Sequence, residues 1–73
     1  MSNDVRKEFT IIGMHCDGCV RSVTRAVGQV PGVRRVDVSL DRGRATVEYD
    51  GTTTAPTAIV AAIEGAGFEA SLC

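Results

Sequence analysis

The chain has no long apolar run, no excess of positive charge and almost none of the side chains from which catalytic centres are built. Its longest unbroken apolar stretch is the six residues Ala58 to Ile63. That is far short of the ~20 residues a helix needs to cross a bilayer, so no direct membrane insertion is expected. The start, MSNDVRKEFT, has charges with no apolar segment behind them, and so offers neither a secretory signal nor a lipidation motif. The expected location is the cytoplasm. Eight Lys+Arg against nine Asp+Glu leave a formal net charge of -1, which lacks the basic footprint of a nucleic-acid binder. There is one histidine, and no nucleophile stands beside a base to activate it, so an enzyme is not expected. Three cysteines are an odd number, and a reducing compartment would keep them as thiols rather than as a disulfide framework. Metal binding or redox chemistry remains.

What is present is enough for one small domain, residues 1–73, with a core from about Val5 to Leu72. Lys7 to Ile12 reads as a strand with Phe9 and Ile11 on one face, ended by Gly13. From Asp17 to about Gln29, Val20, Val23 and Val27 recur at helical spacing while Arg21, Ser22 and Arg25 fall elsewhere, as on a half-buried helix. Pro31 and Gly32 close it. Val36, Val38 and Leu40 then alternate with Arg35, Asp37 and Ser39, a strand with one wet face. Asp41 to Gly43 is hairpin chemistry, and Ala45, Val47 and Tyr49 fall on one side of the strand that follows. Thr54 is the expected N-cap of a second helix, with Pro56 near its first turn and Ile59, Ala62 and Ile63 as its buried stripe. Gly65 and Gly67 end that helix before a last short strand, Phe68 to Leu72. The order β-α-β-β-α-β predicts an α+β sandwich, one four-stranded antiparallel sheet in spatial order 4-1-3-2 with two helices on one face. In that topology the loop Gly13 to Cys19 and the turn Ala66 to Phe68 are neighbours.

The stretch GMHCDGC, Gly13 to Cys19, holds the chemistry. Cys16 and Cys19 sit where a loop becomes a helix, and free backbone N–H groups with the positive end of the helix dipole favour thiolate over thiol there. Three chemistries share this spacing. A closed structural zinc site needs four ligands, whereas the chain offers one cysteine pair, His15 and the distant Cys73. A thioredoxin-like dithiol also begins a helix with Cys-x-x-Cys, but that fold needs about a hundred residues and a proline before a strand facing the motif, which neither Pro31 nor Pro56 provides. A mobile soft-metal site fits best: two thiolates on an exposed loop suit Cu(I), which accepts few, soft ligands and leaves room for a partner's thiolate. Gly13 is expected to let the loop approach closely and Gly18 to relax the turn between the sulfurs. Cys73 lies at the end of a strand running away from this edge, and is read as an incidental terminal thiol. Arg21 and Arg25, one turn apart, are read as a solvated face, with docking of an acidic partner as the alternative.

The motif GMHCDGC ahead of a helix, the element order and the ending AIEGAGFEA resemble the heavy-metal-associated (HMA) domain of copper chaperones and copper-transporting P-type ATPases, over essentially the whole chain. The resemblance implies a ferredoxin-like sandwich that holds one Cu(I) on Cys16 and Cys19 and delivers it to the metal-binding domain of a membrane copper ATPase. It matches the bacterial type of copper chaperone, with an N-terminal domain of a heavy-metal P-type ATPase as the alternative. It gives Met14 as support packed beneath the loop, and Phe68 as the residue after the second helix that faces the metal loop. Phe68 is more usual in ATPase-attached domains than in free chaperones. His15 occupies a variable, solvent-facing position beside Cys16, with an added imidazole near the metal as the alternative. Zn(II), Ag(I), Cd(II) and Hg(II) also accept two thiolates. A monomer is expected without metal, and shared ions would bridge two molecules into a dimer.

Overall fold

The computed structural model describes residues 4–72, so Met1 and Cys73 both lie outside the described residues. In chain order the elements are β1 (Asp4–Ile12), α1 (Asp17–Gly28), β2 (Val33–Ser39), β3 (Arg44–Asp50), α2 (Pro56–Gly65) and β4 (Glu69–Leu72). The strands form one sheet in the order β2-β3-β1-β4, with every neighbouring pair antiparallel. This is the predicted 4-1-3-2 order read from the other edge, and the architecture is the ferredoxin-like sandwich.

The two-residue alternation of the strands assigns the sheet its faces. Phe9 and Ile11 of β1 and Ala45, Val47 and Tyr49 of β3 are buried, and they meet Val23 and Val27 of α1 and Ile59 and Ile63 of α2. Both helices therefore cover one face. The other face is polar: in-register rows run Arg35, Glu48, Arg6 and Asp37, Thr46, Glu8 across β2, β3 and β1. The short apolar stripes suffice because each helix hides only one side. Val20 is half-buried rather than fully buried, since it lies in the first turn of α1, where the helix rises to the sheet edge.

Local differences from the sequence reading have local causes. β1 begins at Asp4 rather than Lys7, because β3 pairs with it along the full span Asp4 to Thr10. β2 stops at Ser39, which leaves Leu40 in the turn. Thr54 does not cap α2. The N-cap position is Ala55, with no side-chain hydrogen bond, and Pro56 opens the helix. The Thr54 hydroxyl instead donates to the Pro31 carbonyl, and Thr54 is buried. It ties the loop before α2 to the turn before β2, where Gly32 takes φ +89 against Thr54 and Thr53.

Candidate metal centre

β1 ends at Ile12, and its last register partner is Glu69 at the start of β4. The chain can leave the sheet there because Gly13 adopts φ +105, a conformation that costs glycine little and other residues much. A Cβ on Gly13 would lie 3.6 Å from Cδ1 of Phe68, so the loop after β1 and the turn before β4 are in contact, as the topology predicts. Met14 and Phe68 are each half-buried and packed against the core cluster. Between them they fix the base of the loop to the body of the domain.

Cys16 is the N-cap residue of α1, extended at φ −158 and ψ 172, with no side-chain capping bond. Its carbonyl accepts from the N–H of Cys19 at 3.0 Å and of Val20 at 3.2 Å, which closes the first turn and sets the two cysteines on the same side of it. Asp17 sits in that first turn, where a carboxylate complements the helix dipole. Gly18 also lies inside α1 and is not at positive φ. A Cβ there would meet Cys16 Sγ at 3.6 Å, ordinary contact. The expected turn-relaxing role of Gly18 is therefore not required, because the helix begins one residue before it.

The two thiols are unlinked, Cys16 exposed and Cys19 half-buried, with Sγ to Sγ 3.7 Å apart. A disulfide would need about 2.05 Å. Backbone hydrogen bonding from His15 is the main reason that the Cys19 thiol titrates below its ordinary value of 9.0. Partial burial opposes the shift, and the side chain and backbone of Cys16 reinforce it. Cys19 is thus biased toward thiolate, the form that binds metals. His15 itself is exposed. Its main chain, not its imidazole, acts on the sulfur pair, a contribution that residue type cannot signal because every non-proline residue carries the same N–H.

Among the described residues no group of three or more His, Cys, Asp or Glu side chains converges on a common point. The described part of the chain therefore presents two soft donors at the rim of the domain, not the four of a closed zinc site. Two sulfurs this close, open on the outer side, can hold a soft ion at low coordination and leave a side from which a further sulfur can approach.

The heavy-metal-associated domain model matches residues 8–69. Copper-transporting ATPase 2 of Homo sapiens is 45% identical over 64 residues, which are 88% of this chain and 4% of that protein. Copper chaperone CopZ of Enterococcus hirae is 35% identical over 68 residues, 93% of this chain and 99% of that one. Among solved structures, a copper binding domain from HMA7, a P-type ATPase, superposes with a TM-score of 0.92 at 35% identity, covering 93% of this chain and 92% of that domain. The chain spans only a small part of the ATPases it matches, 6% of one from Arabidopsis thaliana, but nearly the whole of the chaperone.

Proposed function

The chain belongs to the heavy-metal-associated domain family, and from that premise we propose that it is a copper(I) chaperone, carrying one ion on Cys16 and Cys19. It passes that ion by ligand exchange to a Cys-x-x-Cys partner on a copper-transporting P-type ATPase. The observation that carries this reading is the pair of unlinked sulfurs 3.7 Å apart on an open loop, with no third His, Cys, Asp or Glu converging on them among the described residues. Copper held by two thiolates accepts a third from a partner and then loses one of the first, so it moves without being released to water. The backbone N–H of His15 lowers the proton cost of holding Cys19 as thiolate. Met14 and Phe68 keep the loop seated, and Gly13 supplies the bend. The protein does no catalysis of its own in this reading and works in the cytoplasm. No described helix is long and apolar enough to cross a membrane.

A second reading is favoured by one observation: human and Arabidopsis copper-transporting ATPases match at 45% and 48% identity, against 35% for the chaperone. The same fold and sulfur pair would then serve as a metal-binding domain of an ATPase, receiving copper rather than delivering it.

The test is an anaerobic Cu(I) titration of the fully reduced protein against a competing chelator, repeated with Zn(II) and with Cys16→Ser and Cys19→Ser. Tight copper binding at one equivalent, lost in either variant and much weaker for zinc, is expected. Copper retained without the two cysteines, or zinc bound more tightly than copper, overturns the proposal.

A further inference from the structure

The outer surface of α1 carries a feature that metal carriage on Cys16 and Cys19 does not use. An open groove of about 390 Å³ runs between α1 and the end of α2, lined by Arg21, Ser22, Arg25, Ala26, Gln29 and Ala66. Its volume falls within the ~300–1,000 Å³ of small-molecule sites. Cys19, Ser22, Ala26 and Gln29 follow one another at spacings of three, four and three, so they form one line along the helix. Cys19 does not line the groove itself but stands one turn before Ser22 on that line. Ala66 is the residue after α2, two before Phe68 at the metal loop, so the far wall also leads to that loop.

The groove's charge has one sign. Arg21 and Arg25 are exposed, one turn apart, and neither is in an ion pair among the described residues, where the pairs are Arg34 with Asp4 and Arg35 with Glu48. No acidic side chain lines the groove. Like charges four residues apart disfavour a helix, and a bound carboxylate would relieve that repulsion while matching the fork of each guanidinium. Between Cys19 and Arg25 the helix rises about 9 Å, and arginine side chains reach back over part of that distance. The floor offers the methyl groups of Ala26 and Ala66 between the polar ends.

We infer that this groove binds a small peptide thiol bearing two carboxylates. Its carboxylates lie at Arg21 and Arg25 and its sulfur lies at the metal loop. The sulfur part of this inference rests on the copper reading above. There the incoming thiol gives its proton to solvent and its sulfur forms a third bond to Cu(I), with no bond to Cys16 or Cys19 broken and no change of oxidation state. Such a ligand closes the open side of the ion in the absence of a protein partner and leaves as the partner's thiolate replaces it. The carboxylate part holds with or without metal.

The experiment separates the two parts. S-methylglutathione, which keeps both carboxylates but has no free thiol, is titrated into the reduced, metal-free protein and followed by amide chemical shifts. Shifts confined to α1 and the Ala66 turn are expected, weakened roughly tenfold or more by Arg21→Glu with Arg25→Glu and unchanged by Arg35→Glu on the opposite face. No shift in the groove, or equal binding by the double variant, overturns the site. Glutathione and S-methylglutathione are then compared on the copper-loaded protein, with glutathione expected to bind about tenfold tighter or better. Equal binding overturns the third-sulfur contact. Failure of the copper reading itself would show separately, as loss of cysteine-dependent copper binding in the chelator titration while the metal-free groove still binds.

Discussion

Replacing Gly32 with alanine should destabilise the domain while leaving its metal chemistry untouched. Gly32 sits at φ +89, where an L side chain costs roughly 1–2 kcal/mol. Space is the second obstacle: the new Cβ would press on the Thr54 hydroxyl oxygen and lie 3.0 Å from both Cβ and Cγ2 of Thr53. Forcing an added methyl into a packed site costs about 1–3 kcal/mol. Thr54 has little freedom to yield, because it is 6% exposed and its hydroxyl is engaged with the Pro31 carbonyl. The reduced entropy of the unfolded chain returns only about 0.4–1 kcal/mol. A net loss of about 2–4 kcal/mol follows from these terms. A chain of this length is stable by roughly 4–11 kcal/mol in all, so the loss is a large share. In thermal terms the fall is about 10–25 °C. Urea unfolding of the reduced, metal-free protein would read it as a lower midpoint at unchanged slope. Gly32 and the sulfur pair flank opposite ends of α1, about 18 Å apart along its 12 residues, so copper affinity of the folded variant should match the parent. A stability change below about 0.5 kcal/mol would show that the turn relaxes freely and would refute the reasoning.

Gly13→Ala makes the converse test, since its Cβ meets Phe68 only at 3.6 Å and the cost is the backbone strain of about 1–2 kcal/mol alone. That strain falls on the metal loop, so copper affinity should drop as well as stability; an unchanged affinity in the chelator competition would show that the bend is not needed. Cys19, held below 9.0 chiefly by the His15 N–H, should be alkylated with a pH midpoint under that value in the metal-free protein, as read by peptide mapping across a pH series. A midpoint at or above 9.0 would count against the hydrogen bond. Asp50 is also lowered, from 3.8, first by the Thr52 hydroxyl and then by the Thr52 N–H. A lowered folded pKa gives stability that is present above the unfolded value and lost as pH falls through the folded one. Asp50→Asn should therefore lower stability at neutral pH and flatten its decline below about pH 4, and parallel acid curves for the two proteins would argue against it.

The sequence by itself determined the element order, the two helices on one face and most of the core. Period-two runs such as Ala45, Val47 and Tyr49 and period-three-and-four runs such as Val23 and Val27 each leave one way to hide their apolar side. It also narrowed the candidates for chemistry, because two cysteines three apart, one histidine and no other reactive cluster leave few alternatives. Ends of elements were less legible. Thr54 looks like a cap by residue type, but its hydroxyl is spent on Pro31, a residue 23 positions away that no local pattern reveals. β1 is longer than its own composition suggests because β3 supplies the missing pairing. Only the tertiary structure brought Phe68 against Gly13, and the main-chain path into α1 set the His15 backbone beside Cys19. The tertiary structure alone set two arginines of α1 beside Ala66 to make a groove. These are contacts between segments that the sheet order and the turns of the backbone juxtapose. Side-chain identity encodes the hydrophobic pattern that drives folding, whereas the direction of a backbone N–H and the distance between two turns exist only once the sheet has closed.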